Sequence, residues 1–253
     1  MGVQSQFEQT RASGRPWAEA ARAYRIGRRG GAGDATTRNQ GRGDDGAAVA
    51  ARHPDVRCSR RRGGERTLKA PRSAKTIASD GGSKAWRVTT DGGPGAPDIR
   101  EYFACKSLRH PFRFEKGDTG ADSLLDVPSA AIRGRFLAYG RIRMHGLGTS
   151  RARVIVRDLR THKTTFARRA VSKQQELERF HHVVVRSGGS VAWIASNIVG
   201  GEGVHVLEVW KHEAGGSQRL DSGTDIARRS LRLTSDGRVR WIRHGVVKHA
   251  PLH

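Results

Sequence analysis

A hairpin pattern that recurs about every 50 residues constrains the fold of this chain more than any other feature. Residues 100–118, 152–169 and 204–223 each contain an alternating apolar run, a polar turn and a second alternating run. Apolar residues at every second position are typical of a β-strand with one buried face. Repeats of this length are typical of β-propeller blades. The pattern therefore predicts an all-β domain with about three repeat units.

A second kind of hairpin lies between those stretches, at residues 132–140, 182–196 and 231–245. Each of these hairpins brings one aromatic residue to the same place late in a strand. Rings at a repeated position more often fill the core between sheets than stack on a ligand. We therefore expect three structural aromatic residues: Tyr139, Trp193 and Trp241.

The turn sequences support the hairpin interpretation. Residues 187–190 read SGGS and residues 235–238 read SDGR, which supply the positive-φ positions that a tight hairpin needs. The similar turn at residues 158–163 has His162 where glycine would be easier. Alternation in the last hairpin predicts one buried face and one exposed, arginine-lined face. The apolar side comprises Leu231, Leu233, Val239 and Trp241, and the arginine side comprises Arg232, Arg238 and Arg240.

The repeat units resemble those of bacterial β-propeller-like proteins of the TolB and WD-repeat type, in particular exported ones. The resemblance spans about residues 85–250 and is carried by residues 102–105, 133–139, 154–161, 191–194 and 230–241. Its motifs are structural, so it implies a scaffold with a binding surface and no catalytic residues. Because closed propellers usually have at least about four blades, three alternatives remain: an incomplete propeller, an open stack or sandwich of antiparallel sheets, or a half that self-associates to complete the assembly.

Residues 1–65 differ from the rest of the chain in composition. They contain thirteen arginines and no lysine, many glycines and alanines, and little apolar periodicity. This composition predicts a disordered basic arm before an all-β domain at residues 66–253. Two Arg-Arg-Gly-Gly runs in the arm resemble RNA-binding segments. A misassigned start of the coding sequence would produce the same composition, and in that case we expect the protein to be exported.

The formal net charge is +23 and the pI is near 11.5. A strongly basic chain favours polyanionic partners such as nucleic acid or acidic glycans, although arginine-rich coding alone produces the same charge. Strand-borne arginines that share one surface would form a cationic stripe that binds polyanions without reading sequence. A solvated face that keeps sheet edges from pairing is the simpler interpretation. The candidate residues are Arg141, Arg143, Arg151, Arg153, Arg157, Arg232, Arg238 and Arg240.

No sequence motif points to catalysis. The nucleophile-elbow, P-loop and zinc-protease patterns are missing, so we expect no catalytic residue, cofactor or metal site. Adjacent His181 and His182 should face opposite sides of a strand and fail to share a metal. We therefore predict a non-enzymatic β-repeat scaffold or binding domain of unknown ligand. A nucleic-acid-associated protein that uses the arm and the arginine face is the alternative, and a propeller-type hydrolase is the third hypothesis.

The two cysteines, Cys58 and Cys105, are far apart in sequence, and each lacks a second ligand at metal-binding spacing. We interpret them as unrelated thiols rather than as a disulfide. No stretch reaches the roughly 20 apolar residues of a membrane span, and the first residues lack the apolar core of a signal peptide. The sequence as it stands predicts an intracellular protein without a membrane span.

Overall fold

The computed structural model describes residues 74–106, 111–120, 124–145, 149–173, 177–199 and 203–253. These residues form four antiparallel sheets, and each sheet is made of consecutive strands in chain order. Sheet A contains β1 (Lys75–Asp80), β2 (Ser83–Thr90), β3 (Ile99–Lys106) and β4 (Phe112–Asp118). Sheet B contains β5 (Leu125–Arg133), β6 (Phe136–His145), β7 (Thr149–Asp158) and β8 (Thr164–Arg169).

The other two sheets continue the same order along the chain. Sheet C contains β9 (Glu178–Val185), β10 (Val191–Val199), β11 (Val204–Glu213) and β12 (Gly216–Gly223). Sheet D contains β13 (Arg232–Leu233), β14 (Arg238–Arg243) and β15 (Val246–Pro251). The described part of the chain contains no helix. The all-β prediction and the repeat length of about 50 residues are therefore confirmed.

The structure has four sheets where the sequence pattern indicated about three units. The additional hairpin is β1–β2, whose turn and second strand read DGGSKAW and end on Trp86. This segment matches the SGGSVAW of β9–β10, which ends on Trp193, so the signal was present in the sequence. Trp86 is buried like the rings of the later units. Sheet A is thus a complete first repeat unit of four strands.

Apolar clusters hold each sheet against the next one. One cluster joins sheets A and B around Tyr102 and Tyr139. A second joins sheets B and C around Val154 and Trp193, and a third joins sheets C and D around Leu207 and Trp241. Tyr139, Trp193 and Trp241 therefore each lie in a different inter-sheet core, where they are buried. The fold is a propeller-like succession of stacked antiparallel sheets.

Backbone geometry at the turns agrees with the sequence. Gly189 and Gly237 have φ values of 94° and 80°, in the region that glycine adopts without steric cost. His162 also has a positive φ, 60°, at the place where the sequence lacks a glycine. In sheet D, Val239 and Trp241 are buried, whereas Arg232, Arg238 and Arg240 are exposed. The prediction of one apolar and one arginine-lined face is confirmed for this sheet.

Sheets B and C approach closely where β6 crosses β9. A Cβ atom placed on Gly140 would lie 2.0 Å from Cδ1 and 2.2 Å from Cγ of Phe180. Phe180 is 3% exposed and belongs to the core between these sheets. The missing side chain at Gly140 therefore makes room for the phenyl ring.

Cys105 is buried in β3 and is disulfide-bonded, which corrects the expectation of an unrelated thiol. Sequence separation does not decide disulfide formation, because the requirement is a short Cα–Cα distance in the folded chain. Cys58 lies outside the described residues, as does the arm at residues 1–65, so the boundary at residue 66 stays a prediction. Among the described residues, no helix has the length and apolar character needed to cross a bilayer.

Candidate anion-binding site

Five arginines on one face of sheet B line a common cavity of about 440 Å³. Strand pairing explains their proximity, because residues that pair directly across antiparallel strands point to the same side. Arg143 pairs with Arg151, and Arg153 of β7 pairs both with Arg141 of β6 and with Arg169 of β8. The arginines thus form two rows across the strands.

Two buried carboxylates compensate part of this charge. Glu115 of β4 lies 3.2 Å from Nη1 of Arg141, and its side chain is 7% exposed. Glu178, at the start of β9, is fully buried and lies 3.4 Å from Nε of Arg169. Arg143 and Arg153 have no ion pair with any described residue. Five guanidinium groups therefore face two carboxylates, and the cavity carries net positive charge.

A buried tyrosine holds the Glu115 carboxylate in place. The Tyr139 hydroxyl donates to Glu115 at 2.9 Å. Burial, together with the neighbouring Glu115 carboxylate, raises the pKa of Tyr139, so the phenol stays protonated and remains a donor. A related contact occurs elsewhere between sheets A and B, and another between sheets C and D. In each, an aromatic O–H or N–H donates to a carboxylate that also binds an arginine. These groups are Tyr102, Asp126 and Arg100, and Trp241, Asp221 and Arg243.

The predicted arginines divide between two sheets. Arg141, Arg143, Arg151 and Arg153 come together in the cavity of sheet B. Arg157 lies further along β7, outside the lining of this cavity, and its Nη1 donates to the carbonyl of His162 at 3.4 Å. The remaining three, Arg232, Arg238 and Arg240, are exposed on sheet D. The single stripe considered from the sequence is therefore two separate groups within the described structure.

Arg169 and Glu178 were not predicted from the sequence. The pairing of β7 with β8 shifts register between Val156 and Arg157, so the alternation in β8 does not reveal which residue faces Arg153. Glu178 belongs to sheet C and reaches across to the arginines of sheet B. Its carboxylate accepts the backbone N–H of Ala152 in β7 at 2.7 Å. A contact between sheets leaves no periodic signal in the sequence.

The histidines form no metal centre in the described part of the chain, where no group of three or more metal-binding side chains occurs. His181 Nε2 lies 2.8 Å from the Ser196 hydroxyl. His182 Nδ1 faces Arg232 instead, at 3.3 Å. The two adjacent histidines therefore have different partners.

We expect His181 to make the protein less stable in mild acid. Burial, and then the nearby charge of Arg228, lowers the pKa of His181 from 6.5 to about 4. Since the unfolded chain binds the proton more tightly, the stabilisation is complete above pH 6.5, declines as the pH falls to 4, and changes no further below it. After a discount for partial exposure, the expected decline is about 1–2 kcal/mol.

Denaturant unfolding between pH 7 and 4 measures this decline. The variant His181→Gln should lose the corresponding part of the pH dependence, whereas His249→Gln, on the exposed side of β15, should retain it. Equal pH profiles for the wild type and His181→Gln would show that His181 does not cause the decline.

Comparisons with known proteins show a likeness of fold only. No family model matches the chain, and no curated protein sequence matches it. Among solved structures, the chain is similar to the β-propeller domain of the Trilobed protease from Pyrococcus furiosus, with 6% sequence identity and a TM-score of 0.31. The match covers 71% of this chain and 71% of that chain. A TM-score this low identifies no shared site.

Proposed function

We propose that this protein is a non-enzymatic β-repeat binding domain that holds a compact anion in the arginine cavity of sheet B. The observation that supports this proposal is the set of five guanidinium groups that line one cavity of about 440 Å³. Arginine presents several N–H donors in a fixed plane and binds phosphate and carboxylate groups with two parallel hydrogen bonds. The residue type therefore suits small anions.

The electrostatic repulsion between the paired arginines also supports a bound ligand. Like charges directly opposite each other on paired strands are destabilising. Arg143 and Arg151 form one such pair, and Arg141 and Arg153 form another. A bound anion lowers this repulsion, and binding to the folded state alone raises stability. If the arginines served only as a solvated face of the sheet, their two rows would not need to line one cavity.

The size of the cavity favours a small ligand over a polymer. The nucleic-acid hypothesis instead needs an open surface, and the exposed arginines of sheet D supply one. They are Arg232, Arg238 and Arg240. The two hypotheses differ in salt dependence, because a polymer that releases many counterions loses affinity steeply as salt rises. A propeller-type hydrolase stays a third hypothesis.

We expect pyrophosphate to raise the melting temperature and to bind with one-to-one stoichiometry in calorimetry. The double variant Arg143→Gln/Arg153→Gln should weaken binding by about tenfold or more, because each charged hydrogen bond contributes about 1.5–3 kcal/mol. The matched control is Arg238→Gln/Arg240→Gln, which removes the same charge from sheet D and should leave the affinity unchanged. An equal loss in both variants would show only a general charge effect and would overturn the assignment, as would no saturable binding at millimolar pyrophosphate.

A further inference from the structure

A second cavity, of about 670 Å³, lies between sheets B and C on the face of sheet B opposite the arginine rows. Side-chain alternation in β6 divides the two sites. Arg141 and Arg143 line the first cavity, whereas Ile142 and Met144 line the second. The two cavities therefore differ in chemistry although the same strand builds both.

The second cavity has an apolar wall. Five apolar side chains contribute to it, from β6, from β9 and from the residues that precede β5 and β9. They are Leu124, Ile142, Met144, Leu177 and Phe180. Such a wall favours the burial of a hydrocarbon body, which contributes about 25 cal/mol per Å² of apolar surface removed from water. It disfavours a compact polyanion, whose charges would lose hydration against it.

Three exposed arginines line the same cavity: Arg179 of β9, and Arg228 and Arg229 of the segment that leads into sheet D. None of the three has an ion pair with a described residue. Burial lowers the pKa of His181 most, and the charges of Arg228, Arg179 and Arg229 lower it further, which agrees with the position of these arginines at one cavity. His181 lines the cavity too.

Two carboxylates also line the cavity, and both already have partners. Asp126 accepts hydrogen bonds from Arg100 at 3.1 Å and from the Tyr102 hydroxyl at 2.9 Å. Glu178 binds the backbone N–H of Ala152 and lies beside Arg169. The charge available to a ligand is therefore the positive charge of Arg179, Arg228 and Arg229.

We propose that this second cavity is a binding site for an amphipathic anion, with the apolar wall against its hydrocarbon body and the three arginines at its anionic head. Medium-chain carboxylates belong to this class. The proposal concerns a different cavity and a different ligand from the compact-anion site, and either one can fail without the other.

Isothermal titration of the full chain with decanoate, kept below its micellar concentration, tests the proposal. We expect saturable one-to-one binding, and 1-decanol should bind at least tenfold more weakly because it lacks the charged head. The variant Arg228→Gln/Arg229→Gln should weaken decanoate binding by about tenfold or more. Both residues are exposed, so the variant is expected to fold, and an unchanged far-ultraviolet circular dichroism spectrum checks this.

The variant Arg143→Gln/Arg153→Gln serves as the matched control, because it removes two arginines from the other face of sheet B. It should bind decanoate as the wild type does, and pyrophosphate should not displace decanoate. Equal affinity for decanol and decanoate, an unchanged affinity in Arg228→Gln/Arg229→Gln, or non-saturable binding would overturn the proposal. If the wild type binds decanoate but shows no saturable binding of pyrophosphate, only the compact-anion function is contradicted.

Discussion

Glu178→Gln should destabilise the protein by about 2–4 kcal/mol while it strengthens anion binding in the cavity of sheet B. The carboxylate is fully buried, accepts the Ala152 N–H and faces Arg169. Removal of one partner of a buried ion pair costs about 3–5 kcal/mol. The lower range applies here because the Arg169 side chain is 40% exposed and water can solvate part of its charge.

The gain in affinity distinguishes this variant from one that is only destabilised. Loss of the carboxylate raises the positive charge of the cavity, so pyrophosphate should bind more tightly under conditions where the variant remains folded. Urea unfolding and calorimetry measure the two effects. Asp236→Asn, in an exposed turn of sheet D, is the control and should destabilise the protein much less than Glu178→Gln does. Unchanged stability in Glu178→Gln would contradict the ion-pair interpretation.

Gly140→Ala should destabilise the protein by about 1–3 kcal/mol, because the new methyl group overlaps the Phe180 ring. Phe180→Ala alone should cost about 3–5 kcal/mol through loss of buried surface and formation of a cavity. In the double variant, the methyl group of residue 140 occupies part of the space that the ring vacates. The combined cost should therefore be smaller than the sum of the single costs by about 1 kcal/mol or more.

Urea unfolding of the four proteins in this cycle gives the coupling energy directly. Gly215→Ala is the matched control, since a Cβ atom at that position would have no neighbour within 4 Å. It should change stability by less than about 0.5 kcal/mol. Additive costs for Gly140→Ala and Phe180→Ala would show that the two residues do not set the separation of sheets B and C.

The strands and turns could be predicted from the sequence, but the number of sheets and their packing on one another could not. Alternation and turn residues are local, so the hairpins around Gly189 and Gly237 could be identified without any tertiary information. The number of sheets depended on recognition of a weaker unit, the hairpin that ends on Trp86. How the sheets stack depends on contacts such as that of Phe180 with Gly140, and these have no signature in a single sequence.

The candidate site shows the same division. Arg141 and Arg153 were predicted from their positions on strands, and their direct pairing follows from the register of β6 and β7. Arg169 was missed because a shift of register separates it from the simple alternation. The second cavity was not anticipated, because Arg228 and Phe180 come together only when sheets B, C and D are assembled.

Within each sheet of the described structure, strands pair only with strands adjacent in sequence, and this has a consequence for how the protein is made. Contacts between residues that are close in sequence form quickly, and domains emerge from the ribosome with the N-terminal part first. Each sheet can therefore form while the next is still being synthesised. The apolar face of that sheet stays exposed to solvent until the following sheet packs on it. The nascent chain is therefore most prone to aggregate in the interval between the synthesis of successive sheets.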